Sequence, residues 1–176
     1  MKKIEQKHAA LLREAQHQSQ PNVENMRLCF EVLALAAAID RVCAARLSPH
    51  GLSEGKFVLL FLLHARKEGL SPHELATLAG VTRGTITGLL DGLERSGMIA
   101  RRHDAVDRRK LLISLTPSGA RLALDLSNEH SRWIASLFNG FDGESRDTLS
   151  DLLQRVWRNL DAGVEGTAKP TSGDQP

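Results

Sequence analysis

Over residues 22–47 the apolar positions recur at helical spacing. Leu28, Val32, Leu35, Ile39 and Val42 follow one another in alternating steps of four and three. A second apolar strip, Cys29, Leu33, Ala36 and Ala37, runs beside the first. A helix apolar over so wide an arc buries more than one side, within its own domain and against another chain. Ser48-Pro49-His50-Gly51 ends it with breaker residues. The next helix is expected over residues 53–68, capped by Ser53 and closed by Lys67-Glu68-Gly69. Its stretch 57–63 is apolar all round, the mark of a buried central helix. Ser71-Pro72-His73-Glu74 combines a cap, a proline at the first helical position and the glutamate of a capping box. The short helix it opens stops at Gly80. Thr82 caps another, which runs to about Arg95 and ends at Ser96-Gly97.

Beyond Gly97 the period shortens from 3.6 to 2. Residues 98–102 and 111–115 read as two short strands, joined by a polar, charged hairpin loop over 103–110. Thr116-Pro117 opens a further helix that carries Ala120, Leu122, Ala123, Leu126, Trp133 and Leu137 and ends at Asn139-Gly140. Asp142 or Gly143 starts the last helix, with Leu149, Leu152, Leu153, Val156, Trp157 and Leu160 at helical spacing. Residues 1–21 are polar, with a weak helical hint at Ile4, Leu11 and Leu12, and read as an N-terminal extension. Residues 163–176 have the composition of a disordered tail.

Short helix, tight turn, second helix and two-stranded hairpin form the layout of a winged helix-turn-helix. The expected fold is mainly α with a small two- to three-stranded β-wing. Residues 53–116 form the winged domain, and residues 22–52 with 117–162 form a helical dimerisation region. Ala76 is small enough to let the second helix approach, and Gly80 permits the left-handed turn. Ile86 should fill the wedge between the helices with Leu75, Leu78, Leu89 and Leu90.

Hydrophobic residues make up 41% of the 176, which suits a globular protein. No apolar run approaches the roughly 18 residues that cross a bilayer, and no apolar segment of a secretory signal follows the first residues. Two cysteines make no disulfide framework, so the cytoplasm is the expected compartment. The absence of tyrosine disfavours phenol chemistry. The net charge of +2 says little, but its distribution says more. Arg101, Arg102, Arg108, Arg109 and Lys110 lie within one short segment against Asp104 and Asp107. Such a cluster on a near-neutral chain marks an anion-binding patch, with nucleic acid the leading candidate. The solvent side of the helix after Thr82 offers Thr82, Arg83, Gly84, Thr85, Thr87 and Gly88. Arginine bonds guanine bidentately, threonine contacts phosphate or a thymine methyl, and glycine lets the backbone come close.

The stretch Asp104-Ala105-Val106-Asp107-Arg108-Arg109-Lys110, followed by Leu115-Thr116-Pro117-Ser118-Gly119, resembles the D-x-x-D-R-R and L-T-x-x-G patterns of the MarR family of transcriptional regulators. Leu93-Glu94-Arg95-Ser96-Gly97-Met98-Ile99 is similar to that family's segment before the wing. Ala105 stands where a proline is common. The resemblance covers about residues 22–162. It implies an obligate homodimer that represses a near-palindromic operator on double-stranded DNA. It also implies Arg108 or Arg109 in the minor groove and Asp107 orienting one of them by a salt bridge. Thr82, Arg83, Thr85 and Thr87 would face the major groove, with Lys110 and Arg102 on phosphates.

Family resemblance further implies release by a small aromatic or phenolic ligand, or by oxidation of a cysteine. An apolar pocket for an aromatic or anionic effector would be lined by Phe30, Leu33, Phe57, Phe61 and His64, with Arg27 or Arg66 holding the charge. Cys29, in Leu28-Cys29-Phe30, is similar in place to the reactive cysteine of peroxide-sensing members, which activate theirs with tyrosines absent here. Cys43 lies fourteen residues along the same helix, about 21 Å away at 1.5 Å per residue, too far for an intrachain disulfide. Both cysteines read more simply as small buried hydrophobes. The seven histidines are scattered without metal-ligand spacing, and no cofactor is called for. No catalytic motif points to an enzyme; Asp91 and Glu94 read as surface charges. A winged protein-interaction adaptor without DNA binding is the remaining alternative.

Overall fold

The computed structural model describes residues 5–66, 68–103, 107 and 109–165, with side chains as far as 162. Its elements are α1 (Gln6–His17), α2 (Val23–Leu47), a 3-10 turn (Ser48–His50), α3 (Glu54–His64), α4 (Pro72–Ala79), α5 (Arg83–Arg95), β1 (Ile99–His103), β2 (Leu111–Leu115), α6 (Pro117–Leu137) and α7 (Gly143–Glu165). This is the mainly helical, winged class that the periodicity predicts. The chain divides into two compact units, Met1–Ser127 and Asn128–Pro176, with the boundary inside α6.

In the first unit, Leu59, Leu60, Leu75, Leu90, Leu93 and Ile113 are fully buried, so α3, α4, α5 and β2 share one core. Burying each such side chain stabilises by about 1.5–3 kcal/mol. On α3, however, burial is one-sided. Phe57, Leu59, Leu60 and Leu63 are buried, whereas Phe61 is half exposed. The helix also stops at His64, earlier than expected. Gly69 is not its cap but part of the turn beyond, at φ +87°. That turn brings Leu70 antiparallel to Ile113, with N–H···O distances of 3.0 and 2.8 Å in the two directions. A Cβ at position 69 would lie 2.6 Å from the Ile113 carbonyl oxygen. The hairpin pairs Ile99 with Leu115 through to His103 with Leu111, one residue later at each end of β1 than the alternation suggests.

Residues 1–21, read as an extension, contain a regular helix that packs on α2. Leu12 and Ala15 of α1 are buried, and His8 stacks on Phe30 with ring centroids 4.4 Å apart. The other side of α2 is bare: Leu28, Val32, Leu33, Leu35 and Val42 are all about half exposed.

In the second unit, Asp142 caps α7 by accepting from the Ser145 N–H at 2.9 Å. Phe138 and Phe141 meet edge to face across the preceding turn. Leu152, Leu153, Val156, Trp157 and Leu160 form an exposed apolar stripe on α7. That helix runs to Glu165, past the end at 162 that composition suggests. The rest of the expected tail lies outside the described residues.

Candidate nucleic-acid interface

Local chemistry sets the helix-turn-helix. The Ser71 hydroxyl accepts from the Glu74 N–H at 3.2 Å, and the Glu74 carboxylate accepts from the Ser71 N–H at 2.8 Å, completing the capping box. Hydrogen bonds onto that carboxylate from the Ser71 hydroxyl and then the Ser71 N–H, with Lys110 and His73 adding smaller attractions, hold the Glu74 carboxyl below its ordinary range. Gly80 ends α4 in the left-handed region, and Thr82 caps α5 by accepting from Thr85 N–H at 3.2 Å. Leu75, Ala76, Ile86 and Leu90 fill the wedge between the helices. Leu78 does not: it is half exposed and lines a shallow hollow with Arg66, Leu70 and Thr77. Leu89 turns instead over Gly55 of α3.

Thr82, Arg83, Gly84, Thr85, Thr87 and Gly88 are all exposed, as a reading face requires. The threonines are partly committed. Thr87 donates its hydroxyl to the Arg83 carbonyl at 3.0 Å, and the Thr82 and Thr85 hydroxyls pair at 2.9 Å. Thr87 therefore presents a methyl group and lone pairs, a surface suited to thymine more than to phosphate. A Cβ added at Gly88 would meet nothing within 4 Å, so internal packing does not demand glycine there.

The wing is pinned at its base by the Leu115-Thr116-Pro117-Ser118-Gly119 stretch. Thr116 and Ser118 donate to the Gly97 carbonyl at 2.7 and 3.1 Å, and the Gly119 N–H reaches the Thr116 hydroxyl at 3.0 Å. A Cβ on Gly119 would sit 1.9 Å from the Met98 carbonyl oxygen, so no other residue fits without moving the backbone. Near the tip, the Asp107 carboxylate accepts from the Arg109 N–H at 3.1 Å. Arg109 and Lys110 are exposed. Arg108 and residues 104–106 lie outside the described residues.

The basic cluster is not uniform. Arg101 pairs with Asp91 and, at 3.3 Å, with Glu94, both on α5. These carboxylates are thus partners of the wing, not merely solvated surface charges, and Arg101 is withdrawn from the anion-binding patch. Arg102 donates to the Glu68 carbonyl at 2.5 Å, tying β1 to the turn after α3. Sequence reasoning misses both ties because they depend on how β1 folds back. It also passes over His73, which comes beside Arg83, Thr87 and Lys110 in space.

The expected effector residues are dispersed. Phe30 stacks on His8, Arg27 pairs with Glu24, Phe57 is buried with its ring 6.3 Å from that of Phe61, and His64 and Leu33 are exposed. Of the seven, Arg66 alone lines any of the three hollows described. Cys43 is buried, and burial, then Glu54 and Asp40, push its thiol upward. The expectation of two buried cysteines is corrected for Cys29, which is exposed in the single chain because it lies on the bare side of α2. The unbroken α2 between them keeps the two thiols apart.

A wing strapped to the far half of a helix, leaving the near half bare, is the architecture of winged helix-turn-helix DNA-binding proteins. Residues 52–111 match the MarR family model. The chain is 38% identical to the HTH-type transcriptional repressor YetL of Bacillus subtilis over 138 residues, 75% of this chain and 82% of that one. Among solved structures it is similar to a MepR–DNA complex of Staphylococcus aureus, with a TM-score of 0.64, 22% identity and coverage of 74% and 96%. It is also similar to CouR of Rhodococcus jostii bound to p-coumaroyl-CoA, with a TM-score of 0.61, 26% identity and coverage of 84% and 95%. The chain belongs to the MarR family of DNA-binding transcriptional regulators.

Proposed function

We propose that this chain is a homodimeric repressor that reads a near-palindromic operator and is released by a small aromatic or phenolic ligand. The carrying observation is the bare face of α5. Arg83, Thr85 and Thr87 are presented outward beside glycines that the protein's own packing does not need. Arg83 reads a base, Thr85 and Thr87 contact base edges or methyls, and Thr82 lies at the groove's edge. Arg108 or Arg109 enters the minor groove, where Asp107 orients one of them; Lys110 contacts phosphate, as does Arg102 through the guanidinium N–H groups it does not give to the Glu68 carbonyl. Two exposed apolar stripes, on α2 and on α7, support a dimer, since monomers rarely leave such large patches in water. YetL is named a repressor, and CouR was solved with an aromatic acyl thioester, which supports the proposed direction and effector class. Arg27, Phe30, Leu33, Phe57, Phe61, His64 and Arg66 are the effector contacts this reading assigns, completed by the second chain. The protein acts by binding, in the cytoplasm, and not by turnover.

The test is selection of duplexes from a random library at physiological salt. A palindrome with half-sites about one helical turn apart is the expected product. Affinity should also fall steeply with salt, as contacts to several phosphates demand. Recovery of no sequence preference, with salt-insensitive association to protein partners, would identify an adaptor instead.

A further inference from the structure

Between the start of α4, the exposed side of α5 and the foot of β2 lies an open hollow of about 350 Å³. Pro72 and Ile86 give it an apolar floor, while His73, Arg83, Thr87 and Lys110 stand around it. These residues come from α4, α5 and the position just before β2 and are up to 38 positions apart (72 to 110), so only the fold assembles them. Among the described residues neither the His73 imidazole nor the Lys110 ammonium is used in a hydrogen bond. Both carry N–H donors and stand ready for an acceptor. Glu74, a carboxylate on which both charges act, is occupied by the cap it makes with Ser71.

The position of this hollow is informative. With α5 in a major groove and the wing in the adjacent minor groove, the DNA strand that separates the grooves must cross between them. The hollow lies between those two parts, bounded by α5 on one side and by Lys110 and Leu111 at the foot of the wing on the other. We propose that it seats a backbone phosphate of this strand, with His73 and Lys110 as the donors and Arg83 free to read the base beside it. The proposal rests on the DNA-reading role above and adds His73 to it. Such a contact fixes the register of α5 in the groove without specifying sequence.

The experiment uses full-length protein and operator duplexes carrying single methylphosphonates, which remove one phosphate charge at a time. Wild type should lose about 10- to 100-fold at one phosphate between the major- and minor-groove contacts of each half-site, a loss of the size of charge-assisted hydrogen bonding there. His73→Ala should lose a smaller factor on unmodified DNA, and its further loss at that phosphate should shrink to the part Lys110 still contributes. At all other phosphates the two losses should multiply. His73→Gln, which keeps a donor, should recover part of the affinity. His73 is exposed, so an unchanged melting temperature will show the variants are folded. Losses that multiply at every phosphate overturn the seat while leaving the DNA-reading role intact. A wild type that binds no duplex overturns both.

Discussion

Arg101 on the first strand of the wing and Asp91 on the recognition helix form an ion pair that straps one element to the other. Glu94, one turn further along, shares the same guanidinium. The wing's positive charge is therefore split between a structural strap and outward groups such as Arg109 and Lys110. A partly exposed pair of this kind adds only about 0–1 kcal/mol of stability. Its value lies in geometry, because it sets the angle between the two parts that the proposed function seats in neighbouring grooves.

Arg101→Met should cost less than about 1 kcal/mol in thermal stability. Operator affinity should fall severalfold, and the slope of log K against log salt should stay unchanged. A slope reduced by about one would instead make Arg101 a phosphate contact. Adding Asp91→Asn and Glu94→Gln should restore part of the affinity, since the variant otherwise leaves two bare carboxylates near DNA.

Gly88 separates stability from function. Nothing in the protein opposes a side chain there, and glycine inside a helix costs about 1 kcal/mol relative to alanine. Gly88→Ala should raise the melting temperature and weaken operator binding. Affinity equal to wild type would show that the α5 backbone does not approach DNA closely at this point.

The bare stripes on α2 and α7 make a further test. The chain should sediment as a dimer at micromolar concentration. Val32→Glu with Leu35→Glu alters side chains already half exposed in the single chain, so helix content should persist while the dimer dissociates. Preference for a two-fold operator should disappear with it. A monomeric wild type at that concentration would remove the dimer from the proposed function.

The Glu74 cap should leave a signature in pH. Hydrogen bonds from Ser71 hold this carboxyl below its ordinary value of 4.5. A group depressed in the folded state stabilises fully above its unfolded value and loses that contribution as pH falls through the folded one. Ser71→Ala should cost about 1 kcal/mol at neutral pH, the usual worth of an N-cap. The gap in melting temperature between variant and wild type should be flat near neutrality and narrow below pH 4.5. A gap constant down to acid pH would mean that the ionised carboxylate contributes nothing to the cap.

Much of this architecture is legible in the chain's local pattern. The helix starts at Ser53, Ser71, Thr82 and Asp142 are all capped by those side chains, because capping is a contact between residues three apart. The reading face of α5 follows from period and polarity alone. The end of α3 is harder to read, because 57–63 is equally apolar on every side and nothing local says where the chain must turn. What ends the helix at His64 is the need to bring Leu70 alongside Ile113, a partner 43 positions later (113 against 70). Leu78 has the spacing of a wedge residue and is surface for a similar reason: helical spacing says which residues share a face, while the angle between two helices says how much of it is covered.

Sequence by itself determined the order and type of the elements, the turn glycines and the family, all products of short-range patterns. Tertiary structure alone decided which charges are spent on the protein and which are left for a partner. Arg101, Arg102 and Lys110 look alike along the chain. Only the fold of β1 against α5 pairs the first, ties the second to the Glu68 carbonyl and sets the third beside His73 at an open hollow. The physical reason is range: a cap or a helical period is written within a few residues, whereas an ion pair between elements depends on where the backbone returns.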